Sequence, residues 1–228
     1  LITSDLDELP VGDFFDVRSA LSRVQVVGLY LDEGDIFDLK RSLEAVRKLV
    51  SFISKQKEEL FPQLHLLIAE VKSFAPIIKQ IDAILNKFGK IKDNASAELS
   101  RIRKDIFHTQ SGISKTLNSI LRQAQVDGYV EKDVSPTIRE GRLVIPVSPA
   151  FKRKVSGIVH DESATGKTVY IEPQQVVEAN NRIRELESEE RREIIRILVE
   201  FTNQLRPYFQ EIIESQFFLG KIDFLRAK

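Results

Sequence analysis

Gly166-Lys167-Thr168 is the tripeptide of this sequence that most resembles a catalytic motif, because a phosphate-binding P-loop ends in Gly-Lys-Thr or Gly-Lys-Ser. A P-loop also needs a glycine five residues before the Gly-Lys pair, so that backbone N–H groups can curl around phosphate. Asp161 occupies that position, and the residues that follow, "KTVYIEP", have strand character. The spacing therefore excludes a P-loop and favours a β-hairpin whose turn uses Gly166 for a positive φ angle.

A second group of residues that could do chemistry is His160, Asp161 and Glu162, since all three side chains could bind a metal or exchange protons. Consecutive strand residues point to opposite faces, so the three cannot converge on one ion without a bulge. His65 and His108 lie in separate helical segments. We expect polar groups at a hairpin edge, with no metal site and no catalytic residue.

The distribution of charge near this hairpin says more about a binding partner than these side chains do. The stretch 141–160 contains four basic residues and no acidic one. They are Arg142, Lys152, Arg153 and Lys154. Such a loop can neutralise backbone phosphates without reading bases, and Lys167 could add a contact. Lysines also protect exposed sheet edges against aggregation, and the sequence leaves both interpretations open.

The elements that must position these residues follow from periodicity. "RLVIPVSP", "KVSGIVHDES" and "KTVYIEP" have the composition of short strands punctuated by turns, with Gly157 and Gly166 as structural positions of the hairpin. We predict strands at 155–162 and 167–172. Two helices of about 30 residues, each with a narrow apolar stripe, flank the strands and should pair antiparallel as a coiled-coil arm about 45 Å long.

Two features of the second long helix, which returns from the strands, are not explained by its apolar stripe. Asn180 and Asn181 are mediocre helix formers, and we expect them to fix the register by pairing with the other long helix; a ligand-binding role is the alternative. The charged block 187–193 is interpreted as a solvated surface with ion pairs along its own helix.

The remaining segments are helical, and the fold class is mainly α with a small β insertion (α+β). Residues 1–15 are acidic and irregular, and helical signals run from about 16 to 93. Five segments result. They are a helical core domain at 1–95, the outgoing helix at 96–126, the β unit at 127–173, the returning helix at 174–206 and a segment at 207–228 that packs back on the core.

The bulk composition limits the function classes. Lysine plus arginine and aspartate plus glutamate each total 34, which is typical neither of a polycation nor of an acidic tail. The absence of cysteine excludes disulfides and thiolate zinc sites. We see no signal peptide and no apolar run long enough to span a bilayer, so we expect a cytoplasmic protein without a membrane partner.

The motifs also resemble a known family. "GRLVIPV", "GIVHDESATGKTVYIEPQQVVEANNRIRELE", "DNASAELSRIRKDI" and "LGKIDFLRAK" are similar to the second bacterial paralogue of the MutS superfamily, the branch that carries a C-terminal Smr domain. The similarity extends from about residue 16 to the end of the chain.

The resemblance implies a core domain, a lever of two long helices and a β clamp that grips nucleic acid. It also implies an ATPase domain downstream, which would bind ATP and Mg²⁺ and form a homodimer, and a nuclease activity in the Smr domain. The segment itself would then hold no cofactor and catalyse nothing. Its partners would be branched or mismatched DNA, or ribosomal RNA. The alternative is a structural coiled-coil arm that binds a partner protein.

Overall fold

A computed structural model describes residues 14–72 and 74–226. The predicted acidic segment 1–15 lies almost entirely outside the described residues. The chain divides into two compact units: Leu1–Ala97 with Glu193–Lys228, called unit one here, and Glu98–Arg192, called unit two. The described helices are α1 (Arg18–Arg23), α2 (Glu33–Ile53), α3 (Pro62–Ala69), α4 (Ala75–Ile84), α5 (Ala97–Val126), α6 (Gln174–Leu205) and α7 (Phe209–Arg226).

Local sequence signals explain where the helices of unit one begin. Asp32 caps α2 by accepting from the backbone N–H of Asp35, whose side chain accepts in return from the backbone of Asp32, a reciprocal capping box. Pro62 and Pro76 stand in the first turns of α3 and α4, where the missing N–H of proline costs no intrahelical bond.

Unit one is built around an apolar cluster between α2 and α7. Its buried members are Ala45, Val46, Leu49, Ile53, Phe218, Leu219 and Ile222. Thr202 is a polar residue buried in this unit, and both sides of its hydroxyl are satisfied: the oxygen accepts from the Leu31 N–H at 3.0 Å, and the hydroxyl donates to the Leu198 carbonyl at 2.8 Å. Arg206 donates to the carbonyls of Val24, Val26 and Leu29 and so holds the loop before α2.

Glu193 is a buried carboxylate in unit one. Arg196 donates to it through two nitrogens, at 2.7 and 2.8 Å, and the Ser96 hydroxyl donates at 2.6 Å. These donors, Arg196 first, hold the pKa of Glu193 below its ordinary value against the opposing effect of burial. The prediction that the block 187–193 is solvated throughout is therefore wrong at this position.

Unit two contains a four-stranded antiparallel sheet in the order β1-β2-β4-β3. The strands are β1 (Thr137–Arg139), β2 (Arg142–Val147), β3 (Gly157–Glu162) and β4 (Val169–Pro173). A mainly helical chain with one small antiparallel sheet confirms the predicted fold class.

One apolar cluster joins the sheet to both long helices of unit two. It includes Ile145, Val147, Val169 and Ile171 from β2 and β4, together with Ile113, Leu117, Leu121 and Ala124 from α5 and Val176 and Ile183 from α6. The end of α5 thus shares a core with the start of α6, whereas Arg103, early in α5, donates to Glu190, later in α6, at 2.7 Å. The two helices run antiparallel within this unit.

Within the described ranges, no helix combines the length and the apolar content that a membrane crossing requires.

The turn between β1 and β2 contains local strain that a substitution can relieve. Glu140 and Gly141 have φ angles of 49° and 74°, and Arg139 pairs with Arg142 across them, which is the type I′ pattern. Because asparagine tolerates positive φ better than glutamate, we expect Glu140→Asn to stabilise the sheet by about 0.5–1 kcal/mol. Slower hydrogen exchange of the β1 and β2 amides would show this.

The matched control is Glu140→Ala, which removes the same carboxylate but keeps a Cβ in the same backbone conformation. It should give no stabilisation. Equal gains from Asn and Ala would assign the effect to charge and contradict the argument from strain.

Candidate nucleic-acid interface

The basic loop, defined here as Lys152, Arg153 and Lys154, is held in place by the residues before and after it. A 3₁₀ turn, Pro149–Phe151, precedes the loop, and the Phe151 carbonyl accepts from the Lys154 N–H at 2.8 Å. Val155 follows and is buried in the apolar cluster of unit two. The loop therefore has a fixed origin in the fold although its side chains are exposed.

An aromatic pair supports the turn from one side. The rings of Tyr129 and Phe151 lie 5.2 Å apart at an interplanar angle of 34°, within the range of favourable aromatic contacts. In addition, the Tyr129 carbonyl accepts from the Ser148 N–H at 3.3 Å.

The three cations of the basic loop are exposed, and none of them forms an ion pair with any residue in 14–72 or 74–226. Several arginines elsewhere in unit two are paired with acids. Arg101, for example, has carboxylate oxygens of Glu98 and Asp105 at 2.7 and 2.9 Å. The basic loop is thus a concentration of uncompensated positive charge.

Arg142 and Lys167, the other predicted contacts, occupy different surroundings. The Arg142 side chain is only 29% exposed, and its guanidinium lies 3.6 Å from a carboxylate oxygen of Glu172, so its charge is partly compensated. Lys167 is exposed in the turn between β3 and β4.

That turn confirms the hairpin. The φ angle of Gly166 is +65°, its N–H donates to the Ser163 carbonyl at 2.8 Å, and β4 follows. A P-loop requires a helix at this point. Gly166-Lys167-Thr168 therefore does not provide a nucleotide site.

Gly157 is required by the close approach of β3 to β4. A Cβ built on this residue would lie 2.1 Å from the backbone carbonyl oxygen of Glu172, a separation that real Cβ atoms do not reach. Any side chain here would push the two strands apart.

Glu172 is the site residue that the sequence did not reveal. Its side chain is 2% exposed. Asn180 donates to its Oε1 at 2.7 Å, and His160 Nε2 lies 2.7 Å from its Oε2. With Arg142, these residues form what we call the Glu172 cluster, which connects β2, β3, β4 and α6. "Glu-Pro" at the end of a strand carries no periodic signal that could have identified it.

A β-bulge makes the cluster possible. The register of β3 against β4 shifts between Val159 and Asp161, leaving His160 as the extra residue. We expected polar groups at a hairpin edge, but the imidazole of His160 is instead paired with a buried carboxylate.

The asparagines and part of the charged block also find partners other than those expected. Asn180 directs its amide to Glu172 instead of to the other long helix, and Asn181 is exposed. Glu190 accepts from Arg103 of α5, so this part of the block joins the two helices instead of being purely solvated.

Arg139 is a cation already engaged by neighbours. Its guanidinium lies 4.4 Å from the centre of the Tyr170 ring, donates to the Tyr170 hydroxyl at 3.0 Å and lies 3.6 Å from Asp161. The hydrogen bond to Tyr170 is the main reason that the pKa of Arg139 is raised.

The fold and the site thus define a mainly helical chain in which two long helices carry a small β unit with an uncompensated cationic loop. Over 96% of its length it is similar to three curated proteins named Endonuclease MutS2. Their identities to the chain are 34% for Alkaliphilus oremlandii, 33% for a Geobacillus species and 36% for Acetivibrio thermocellus. The chain is a homologue of a segment of these MutS-superfamily proteins, which confirms the resemblance carried by its motifs. It spans 28% of the length of each relative, and no protein-family model matches it.

The Glu172 cluster gives a stability prediction. Glu172→Ala should destabilise unit two by about 1–3 kcal/mol, because Asn180 and His160 would lose their buried acceptor. Native-state hydrogen exchange of the β3 and β4 amides measures the change. Glu162→Ala removes an exposed carboxylate from the same sheet and should change stability by less than about 0.5 kcal/mol. Equal effects of the two substitutions would contradict a supporting role for Glu172.

Proposed function

We propose that unit two is a nucleic-acid-binding module that grips the sugar-phosphate backbone through the basic loop. The observation that carries this proposal is the run of three exposed cations without ion pairs among the described residues, in a stretch of sequence without acids. Lysine and arginine contacts to phosphate supply affinity independent of base sequence.

The relatives support a role in nucleic-acid metabolism, since their name describes an endonuclease. The proposal therefore extends to the longer protein: a MutS-like ATPase with nuclease activity that forms a homodimer and acts on branched or mismatched DNA or on ribosomal RNA. ATP and Mg²⁺ would bind to another part of that protein, because the Gly-Lys-Thr of this chain forms a hairpin turn.

The chain's own contribution would be to grip and to transmit movement. α5, α6 and the sheet of unit two share one apolar core, so a displacement of the paired helices would carry the sheet with them. The basic loop would move as well, because Val155 anchors it in that core. In this proposal the helices are a lever and the β unit is the clamp at its end.

Neutralising the basic loop tests the grip. We expect Lys152→Gln/Arg153→Gln/Lys154→Gln to weaken binding of this chain to labelled duplex DNA or to duplex RNA. The slope of log K against log salt should fall by about 2–3, since each lost phosphate contact removes about 0.9. Fluorescence anisotropy between about 50 and 200 mM salt provides the measurement.

The matched control removes three exposed lysines from unit one, as Lys48→Gln/Lys55→Gln/Lys57→Gln. It lowers the net charge equally and should leave the slope nearly unchanged. If both triple variants lose the same amount of affinity, overall charge and not the basic loop controls binding.

A second candidate function, an arm that binds a partner protein, is favoured by the free edge of the sheet. β3 is an edge strand, and its Ile158 and Val159 are 47% and 45% exposed. A partner strand could pair with that edge. If this function is correct, the chain should capture a protein that stays bound after nuclease treatment. The basic-loop variant should still capture that protein, and Val159→Lys should not.

A further inference from the structure

The solvent-facing side of α5 has a polar composition that neither the helix pairing nor the basic loop explains. From Ile106 to Val126 the helix contains no aspartate or glutamate. Phe107, His108 and Val126 are exposed near the two ends of this stretch, and the exposed side between them is formed by amides, hydroxyls and two cations. The residues are Gln110, Ser111, Ser114, Lys115, Asn118, Ser119, Arg122 and Gln123, called the α5 outer face here.

The members of this face lie together in space. Lys115 and Arg122 are seven residues apart, which is two helical turns and about 10 Å along one side of the helix. Together with Asn118, Ser119, Gln123 and, at the helix end, Val126, they line a single shallow depression. The opposite side carries Ile113, Leu117, Leu121 and Ala124, whose burial in the cluster of unit two holds the outer face toward solvent.

Both cations are exposed, and in the described part of the chain neither has an ion-pair partner. An acid three or four residues away stabilises an exposed helical cation. The first turns of α5 follow that pattern, with Arg101 between Glu98 and Asp105. On α6, Arg182 follows it as well, since its guanidinium lies 3.1 Å from a carboxylate oxygen of Glu185. The α5 outer face departs from the pattern over 21 residues.

We propose that the α5 outer face is a second contact surface for the sugar-phosphate backbone, so that nucleic acid runs along the helix as well as through the basic loop. This inference depends on the proposed function. Phosphate oxygens are bound by Lys, Arg, Ser, Asn and Gln side chains, the types present here. A surface without carboxylates also avoids repulsion along the path of a polyanion.

The spacing fits a continuous track. Lys115 lies about 16 Å along the helix from its end at Val126, and the chain enters the sheet soon afterwards. The axial distance from Lys115 to Arg122 equals about three base-pair steps measured along a duplex axis, at 3.4 Å each, so the two cations would reach different phosphates. Asn118 and Ser119 lie between the two cations, where they can donate to the intervening phosphates.

The test compares Lys115→Gln/Arg122→Gln with the unmodified 228-residue chain, using a labelled DNA duplex of about 20 base pairs and the corresponding RNA duplex. We expect binding to weaken about 5- to 20-fold at low salt, and the salt slope to fall by about 1–2. The charge-preserving exchange Lys115→Arg/Arg122→Lys should retain the slope. Both side chains are exposed, so circular dichroism should be unchanged.

The matched control is Arg184→Gln/Arg191→Gln on α6, which removes two exposed cations from the same unit and should leave the slope unchanged. A normal slope for the α5 variant, with loss of binding in the basic-loop variant, would overturn this inference and leave the proposed function intact. Normal binding by both variants would overturn both. Loss confined to the DNA or the RNA arm would support the inference and identify the ligand.

Discussion

The structure of unit two depends on a single apolar cluster shared by the sheet and both long helices. A sheet of four short strands needs an apolar face that is covered, and a helix with a narrow apolar stripe needs a partner to cover that stripe. Ile145 and Ile171 of the sheet, Leu117 of α5 and Val176 of α6 meet in this cluster. Each such side chain contributes about 1.5–3 kcal/mol on burial. The helix pair and the sheet therefore depend on the same core, and Val155 positions the basic loop against it.

The Glu172 cluster is the polar counterpart of that core. Removing a carboxylate from water is costly, and its partners offset the cost only if the geometry is good. Asn180 and His160 each contribute a short contact, and Arg142 adds a partial charge pair. The arrangement is specific because it requires the β3 bulge, the first turns of α6 and the close strand approach at Gly157 at the same time. Its role is to fix the relative positions of the sheet and α6.

Charge is distributed in a way that the net value of zero conceals. Some basic side chains of unit two have their charge compensated by neighbours. Arg103 pairs with Glu190, and Arg139 contacts Tyr170 and Asp161. The charges of others, in the basic loop and on the α5 outer face, are not compensated. Because a phosphate backbone responds to local uncompensated charge, we propose these two surfaces as the places where nucleic acid binds, although the total charge of the chain is zero.

Periodicity and spacing alone determined the fold class, the two long helices, the hairpin around Gly166 and the exclusion of a P-loop, because each depends on residues near one another in the chain. The motifs also identified the family. Tertiary structure alone decided that Glu172 is buried, that His160 is displaced by a bulge and that Asn180 binds Glu172 and not the other helix. These outcomes depend on the distances between separate elements. An amphipathic pattern shows only which side of a helix or strand is apolar. It does not show which polar group of another element will contact that helix or strand.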